Sequence, residues 1–513
     1  MADSAGDTGK RTGPARTLTS KTVDGLFWSG IGSGTFVTCQ LAIVAILARM
    51  LTPAEFGVVT AAGTIIGLSN IFVNLGVGPA IVQHRELTDE VIATGTSMSL
   101  IMGCAIGALI AATSPVLAGF YGIAGLQPVL ATLALLFPIS AAGLVASSLL
   151  QRDMRFRRVT LRNLTSYVVG YGGVSITLAL LGFGVWALVF GQLAQTTMQT
   201  MQTIAIAGRR LSFGWSREAM HGLLRYGVGS TLARIGNYTA NQADYMVVGR
   251  VLGPAALGFY GRSYQFVALP SNLFGTVTDR VLFPAMAAVQ HDRTRLERAY
   301  RQSLGVLAMV TLPLSGLLFA AAPEVVAVLL GERWMSVVAP FRVLTISLLF
   351  RTSYKISDSL SRASAATMNR AWRQWLYALA VIGGAIIGTR WNIMGVAVGV
   401  SIAIVLNFLL MLDLGRKLTG IRVATLIDIY ARHAAIAALT TWVAVMVLVA
   451  ARHAGLIDIT RLALAGVAAG ATWLAIARLV PRLVGDELDW LLSVIGAQLE
   501  RRRNARLAVG REG

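Results

Sequence analysis

Apolar runs of about 20 residues, the length an α-helix needs to cross the hydrocarbon core of a bilayer, recur along this chain from Gly25 to Val480. In lipid each backbone N–H and C=O must be satisfied internally, so such runs are either helices or strands of a closed barrel. The period-two alternation of barrel strands is absent, which leaves helices. Composition agrees: 55% of residues are hydrophobic, 13% are charged and the mean hydropathy is +0.67, whereas soluble domains carry about 25% charged residues. The expected fold class is an all-α integral membrane protein, and a soluble globular protein is excluded.

The runs predict about fourteen spans, at 24–49, 56–83, 92–119, 126–150, 159–182, 184–207, 222–250, 256–284, 302–322, 336–360, 371–389, 393–412, 424–450 and 460–480. The net charge of +20 is gathered in alternate breaks between them. Arg152, Arg155, Arg157, Arg158 and Arg162 follow the fourth span, Arg209, Arg210 and Arg217 the sixth, and Arg293, Arg295, Arg298 and Arg301 the eighth. The intervening breaks are nearly bare, and 119–127 and 181–184 carry no charge. Positive charge marks the cytoplasmic side of a spanning protein, so this spacing puts both termini in the cytoplasm. Basic residues dispersed in this way are topology signals and do not form a nucleic-acid surface. Residues 1–23 read as a disordered basic tail ahead of an uncleaved first span. Residues 481–513 read as a second basic tail, with Leu488, Trp490, Leu491, Leu492, Val494 and Ile495 patterned for an amphipathic surface helix.

The chain repeats itself. Gly25 to Ser33 (GLFWSGIGS) is echoed by Gly222 to Ser230 (GLLRYGVGS), Arg49 to Gly57 (RMLTPAEFG) by Arg250 to Gly258 (RVLGPAALG), and Gln127 to Leu130 by Ala339 to Leu344. The three markers keep their order, and an even number of spans separates the copies, so both enter the membrane in the same orientation. Two six-helix bundles, 24–210 and 211–420, enclosing a central cavity are expected, with two additional helices over 421–480.

Polar side chains inside the spans point to a lined path. Arg234, Asn237, Asn241 and Asp244 recur at i, i+3, i+7 and i+10, which at about 100° per residue is one helix face. Arg351, Lys355, Asp358 and Arg362 recur at i, i+4, i+7 and i+11, within about 60° of arc, and Arg342 lies nearer the other end of that span. A charge at the bilayer centre costs at least about 2.5 to 3.5 kcal/mol, so it faces a cavity or a partner. A cationic interior of this kind suits phosphate, because guanidinium offers bidentate donors and ammonium a point charge. Arg234, Asn237, Asn241, Arg342, Arg351 and Lys355 are therefore the candidate substrate-binding residues. Two alternatives stay open. If the tenth span starts near Trp334, Arg351 marks its cytoplasmic end and Arg342 is the buried charge; and Arg234 with Asp244 also suits a structural ion pair or a snorkelling end. In the first copy only neutral groups, Asn70, Asn74, Thr35 and Thr38, stand in comparable places, and interhelical hydrogen bonds account for them equally well.

Other chemistries find no support. Gly9-Lys10 lacks the earlier glycine and the strand of a phosphate loop. His84, His221, His291, His433 and His453 are scattered at span ends and form no metal or catalytic cluster. No set of nucleophile, base and orienting residue is present, and neither a cofactor nor a metal is expected. Cys39 and Cys104, both inside apolar runs, argue against a disulfide framework.

The sequence resembles the Wzx-like polysaccharide and lipid-linked oligosaccharide flippases of the multidrug/oligosaccharidyl-lipid/polysaccharide exporter superfamily, over most of residues 20–480. The likeness rests on Ala48 to Gly57 (ARMLTPAEFG), Leu149 to Arg157 (LLQRDMRFR), Ala243-Asp244-Tyr245 with Leu257-Gly258-Phe259-Tyr260, and Phe283-Pro284, in that order. The resemblance implies a bacterial inner-membrane transporter, not an enzyme. It implies turning undecaprenyl-diphosphate-linked oligosaccharide from the cytoplasmic to the periplasmic leaflet by alternating access, for exopolysaccharide, capsule or O-antigen synthesis. Membrane lipids, and a polysaccharide polymerase with its export machinery, are the implied partners. Asp244 and Asp358, acidic groups beside the cationic face, become candidates for coupling to a cation gradient. A cation-coupled multidrug exporter of the same superfamily is the alternative, though that branch is expected to present an acidic, aromatic cavity. A membrane-embedded glycosyltransferase or polymerase would need a sizeable extracytoplasmic loop.

Overall fold

The computed structural model describes residues 18–74, 77–83, 87–153, 155–208, 212–278, 282–364, 366–480, 485 and 487. Among them every regular element is helical, as the bilayer requires. In chain order the α-helices are α1 (Leu18–Met50), α2 (Pro53–Asn74), α3 (Val77–Gln83), α4 (Asp89–Tyr121), α5 (Leu126–Leu133), α6 (Leu136–Ala142), α7 (Leu144–Arg152), α8 (Phe156–Thr165), α9 (Val174–Leu180) and α10 (Val185–Ala207). They continue with α11 (Arg217–Val277), α12 (Phe283–Ala288), α13 (Arg293–Ala320), α14 (Ala322–Leu329), α15 (Val338–Ile346), α16 (Leu348–Ala363), α17 (Thr367–Gly388), α18 (Asn392–Thr419), α19 (Val423–His453) and α20 (Asp458–Leu479).

Six stretches among the described residues are long and apolar enough to cross a bilayer unbroken, including α4, α13, α19 and α20, and two bent pairs bring the number to eight. The predicted runs are otherwise broken more often than their apolarity suggests. The fourth bends by 44° between Ala142 and Leu144, and the tenth by 42° between Ile346 and Leu348. The fifth carries a π-helical stretch, Ser166–Gly173, between α8 and α9. Hydropathy counts apolar residues and is blind to the backbone geometry that joins them.

Several boundaries shift. Helix α1 begins at Leu18, inside the stretch expected to be a disordered tail, and residues 1–17 lie outside the described ones. Pro284 occupies the first turn of α12, where its missing N–H costs no hydrogen bond. Helix α13 starts at Arg293, with Asp292 as N-cap accepting from Arg295 N at 3.0 Å, so the arginine cluster rides on an extension of the ninth span. The expected amphipathic C-terminal helix falls outside the described residues.

The second repeat marker explains how the chain folds back. Helix α11 is two arms joined at Gly253, whose φ of 83° and ψ of −177° suit glycine alone, followed by Pro254 at the start of the second arm. At the matching place in the first copy, Thr52-Pro53-Ala54-Glu55 forms a capping box: Glu55 Oε2 accepts from Thr52 N at 2.6 Å and from the Thr52 hydroxyl at 2.9 Å. The two turns pack on each other reciprocally. Gly57 abuts the Pro254 carbonyl and Gly258 abuts the Pro53 carbonyl, so closely that neither glycine has room for a Cβ. Equivalent residues exchanging equivalent contacts are what a two-fold relation between copies produces.

Trp334, fully buried, seals this end. Its Nε1 donates to Ala48 O at 2.8 Å, and its ring stands edge-on to Phe56 at 5.3 Å and to Phe259 at 5.8 Å. One apolar core runs through both copies, from Leu47, Phe56 and Leu130 to Tyr260, Phe341 and Ile404.

A candidate cationic cavity between the repeats

Beneath that seal a cavity of about 660 Å³ lies between α2, both arms of α11 and α16. Helical spacing builds each wall. The first arm of α11 contributes Tyr238, Asn241 and Tyr245 at i, i+3 and i+7, together with Gln242; the second contributes Arg262, Gln265 and Asn272; α2 contributes Thr60 and Ile71; and α16 contributes Arg351. Gly67 lets the Tyr238 ring approach α2, where its hydroxyl donates to Thr64 O at 2.9 Å and ties the first arm to the first copy.

Two guanidiniums face this space. Arg262 lies 4.3 Å above the Phe56 ring and donates to Gln265 Oε1, which fixes it between the seal and the cavity. Arg351 stacks 4.2 Å above the Tyr264 ring, itself a wall residue. Both planar cations stack on aromatic faces, a pairing that suits guanidinium. Among the described lining residues there is no carboxylate.

The predicted residues are distributed unequally. Asn241 and Arg351 line the cavity. Lys355 stands one turn further along α16, its Nζ donating to Ser271 O at 2.7 Å beside Asn272. Asp244 shares the arm of Asn241 but is fully buried behind the wall: Oδ2 accepts from the Tyr260 hydroxyl at 2.7 Å and Oδ1 from Tyr245 N at 3.0 Å. Arg342 is not brought to the cavity. It reaches the C-terminal end of α13 instead, where Nε donates to Phe319 O at 3.2 Å and the guanidinium lies 5.6 Å from the Phe319 ring. The span does begin near Trp334, yet it is Arg351, beyond the bend at Ser347, that enters the interior. Asp358 is held by Arg362 at 3.2 Å and by Arg370, an ion-pair cluster toward the C-terminal end of α16 and away from the lining. Arg234 and Asn237 sit on the first arm of α11, and their side chains lie outside the described residues.

Arg262 was missed, though a signal existed. It is the one charged residue between Ala256 and Thr278, and the rule that selected Arg234 selects it too. The aromatic cluster of the cavity wall, with Tyr245 edge-on to Tyr260 behind it at 5.5 Å and to Tyr264 at 5.4 Å, carries no such signal, because tyrosines in an apolar run read as ordinary packing.

Comparison with known proteins agrees with this architecture. The chain is 30% identical over 322 residues to the succinoglycan biosynthesis transport protein ExoT of Rhizobium meliloti, a match covering 62% of this chain and 64% of that one, just under two thirds of the relative's length. It is 24% identical over 406 residues to the lipopolysaccharide biosynthesis protein WzxC of Escherichia coli, covering 77% and 80%. Among solved structures, the lipid II flippase MurJ in an inward closed conformation superposes with a TM-score of 0.71 at 14% identity, over 88% of this chain and 99% of that one, a likeness of fold. Residues 46–339 match the family described as polysaccharide biosynthesis protein, and with more than half of its length inside that match, this multi-pass membrane protein belongs to the polysaccharide biosynthesis protein family.

Proposed function

We propose that the protein flips a polyprenyl-diphosphate-linked oligosaccharide, of the undecaprenyl type, across a bacterial inner membrane, and that the cavity between the repeats is its path. The observation that carries this reading is the pair Arg262 and Arg351 on the walls of a cavity whose described lining holds no carboxylate. A diphosphate would meet the two guanidiniums bidentately. The amides of Asn241, Gln242, Gln265 and Asn272 would exchange hydrogen bonds with sugar hydroxyls, while the prenyl tail stays in lipid. The names of ExoT and WzxC as a transport protein and a lipopolysaccharide biosynthesis protein support the same class of cargo.

Bundles 24–210 and 211–420 would part at the reciprocal turn contact as the path opens on that side, with 421–480 as an attached pair and both termini cytoplasmic. The closed outer end supports alternating access from the other side. Asp244 is the better candidate for coupling to a cation gradient, since arginines already engage Asp358. A polymerase and export machinery would take the product onward.

The test is translocation of a lipid-diphosphate-linked oligosaccharide in proteoliposomes at equal reconstituted amounts. Hydrogen bonds to charged groups are worth about 1.5 to 3 kcal/mol, so Arg262→Ala and Arg351→Ala should each slow flipping by roughly 10- to 150-fold. Arg342→Ala, off the cavity, should flip at the wild-type rate. A folded wild type that exports amphipathic drugs and flips no lipid would reassign the chain to the multidrug branch.

A further inference from the structure

Helix α10 is about 34 Å long at 1.5 Å per residue, enough to span a bilayer, yet it is not among the stretches apolar enough to do so. Its polarity is ordered. Gln192, Gln195, Gln199 and Gln202 recur at i, i+3, i+7 and i+10, one helix face. Two of them fasten the fifth span: Gln199 Nε2 donates to Asn163 Oδ1 at 3.1 Å, and Gln202 Oε1 accepts from the Thr165 hydroxyl at 3.1 Å. Gln192 and Gln195, both half-buried, make no side-chain hydrogen bond among the described residues. Phe190 and Met201, 41% and 66% exposed, mark the lipid side of α10. At about 100° per residue, Gln192 lies about 160 to 180° from them and Gln195 about 120 to 140°. These accessible amides therefore face an internal space and not lipid, where an unpaired amide would be costly.

Neighbouring contacts tie this space to the cationic cavity. The turn ahead of α10 stands at the closed end: a Cβ on Gly184 would lie 2.5 Å from Oε1 of Glu55, in the capping box beside Pro254. Gln192 is eight residues beyond Gly184, and Arg262 is nine beyond Gly253 in the partner turn, so both lie about 12 to 14 Å from that end. The fifth span joins them. Its Gly170 packs on the backbone of α10, where a Cβ would stand 2.8 Å from Gln195 Cα. The next residue, half-buried Tyr171, lies within electrostatic reach of the Arg262 guanidinium. Tyr171 belongs to the π-helical stretch Ser166–Gly173, on which its ring stacks against Tyr167 at 5.2 Å and 19°, and Tyr167 in turn packs on Phe36 of α1 at 4.9 Å. Single π-helical turns inside α-helices recur at functional sites.

The chemistry of these groups selects their ligand. Gln192, Gln195 and Tyr171 are uncharged, which suits neither a metal ion nor a phosphate. A carboxamide both donates and accepts hydrogen bonds, as a sugar hydroxyl does. A tyrosine offers an apolar face to the C–H face of a sugar ring and a polar tip to its rim. We propose that Gln192, Gln195 and Tyr171 form a sugar subsite in the first copy, for the part of the glycan next to the diphosphate held at Arg262. It rests on the reading of the cavity as the cargo's path, and it completes a site whose two guanidiniums both come from the second copy.

The full chain in detergent is titrated with undecaprenyl-diphosphate-linked oligosaccharide and with undecaprenyl diphosphate bearing no sugar, and bound lipid is counted by native mass spectrometry. Two neutral hydrogen bonds are worth roughly tenfold in affinity, so Gln192→Leu combined with Gln195→Leu should weaken the glycan-bearing lipid by about that factor and not the bare one. Tyr171→Leu should act in the same direction, and Tyr171→Phe, which keeps the ring, should recover most of the loss. Arg262→Ala should weaken both lipids alike. Glycan affinity unchanged in the glutamine pair and in Tyr171→Leu would overturn the subsite while leaving the cavity as the path. Equal weakening of both lipids by those variants would also overturn it, as a structural role. Arg262→Ala weakening neither lipid would remove the diphosphate from the cavity, and the subsite beside it with it. Should the glutamine pair fail to fold, Tyr171→Leu against Tyr171→Phe decides alone.

Discussion

The reciprocal contact between Gly57 and Gly258 makes alternating access testable with single methyl groups. A Cβ added at Gly57 would stand 2.6 Å from the Pro254 carbonyl carbon, and one at Gly258 2.8 Å from that of Pro53, with the carbonyl oxygens nearer still. Ordinary contact begins at 3.4 Å, so the Pro254 carbonyl carbon alone requires the turns to part by about 0.8 Å, the difference between 3.4 and 2.6 Å, and its nearer oxygen requires more. The atoms met are backbone at the base of a proline turn, which cannot rotate away as a side chain would. Overpacking of this sort costs about 1 to 3 kcal/mol. On the proposed mechanism the cost falls on the state in which this end, proposed to be the outer one, is shut, because the contact is lost when the bundles part. The population open to the outside should therefore rise by roughly 5- to 150-fold. The assay is labelling of a cysteine placed at Asn241, in a background without Cys39 and Cys104, by a membrane-impermeant maleimide added from outside. Gly57→Ala and Gly258→Ala should each accelerate labelling by that factor, and the pair together by less than the product, since both act on one interface. Gly63→Ala, on the same helix with nothing within 4 Å of the added methyl, is the control and should leave the rate unchanged. Unaltered labelling in both test variants, with the control behaving, would refute the idea that this contact gates the outer end.

Two further outcomes follow from the same geometry. Asp244→Asn keeps an acceptor for the Tyr260 hydroxyl but removes the charge, so it should abolish the dependence of flipping on an imposed cation gradient while leaving the folded protein intact; transport at the wild-type rate under every gradient would remove Asp244 from coupling. Trp334→Phe deletes the donor to Ala48 O and the ring volume between Phe56 and Phe259, which should cost about 1 to 3 kcal/mol, read as a lowered unfolding midpoint in detergent and as faster outside labelling of the Asn241 cysteine.

The residues alone determined the class of molecule. Apolar runs of membrane length admit only helices, alternate arginine clusters set a topology to test, and the recurrence of RMLTPAEFG as RVLGPAALG set an expectation of two related copies, because these features depend on neighbours in sequence and on the solvent the chain meets. The rule that intramembrane charge faces a cavity found Arg351 and, applied evenly, would have found Arg262. Partner choice was beyond that rule. Asn241 and Asp244 share an arm of α11, yet one lines the cavity and the other turns to Tyr260; Arg342 and Arg351 share a predicted span, yet the bend at Ser347 sends them to different surroundings. Helical periodicity fixes which residues share a face, but what each meets depends on helices far away in sequence and on bends that hydropathy does not register. The contact of Gly57 with Pro254 and the approach of Tyr171 to Arg262 were decided by tertiary structure alone, because each is a property of two surfaces brought together.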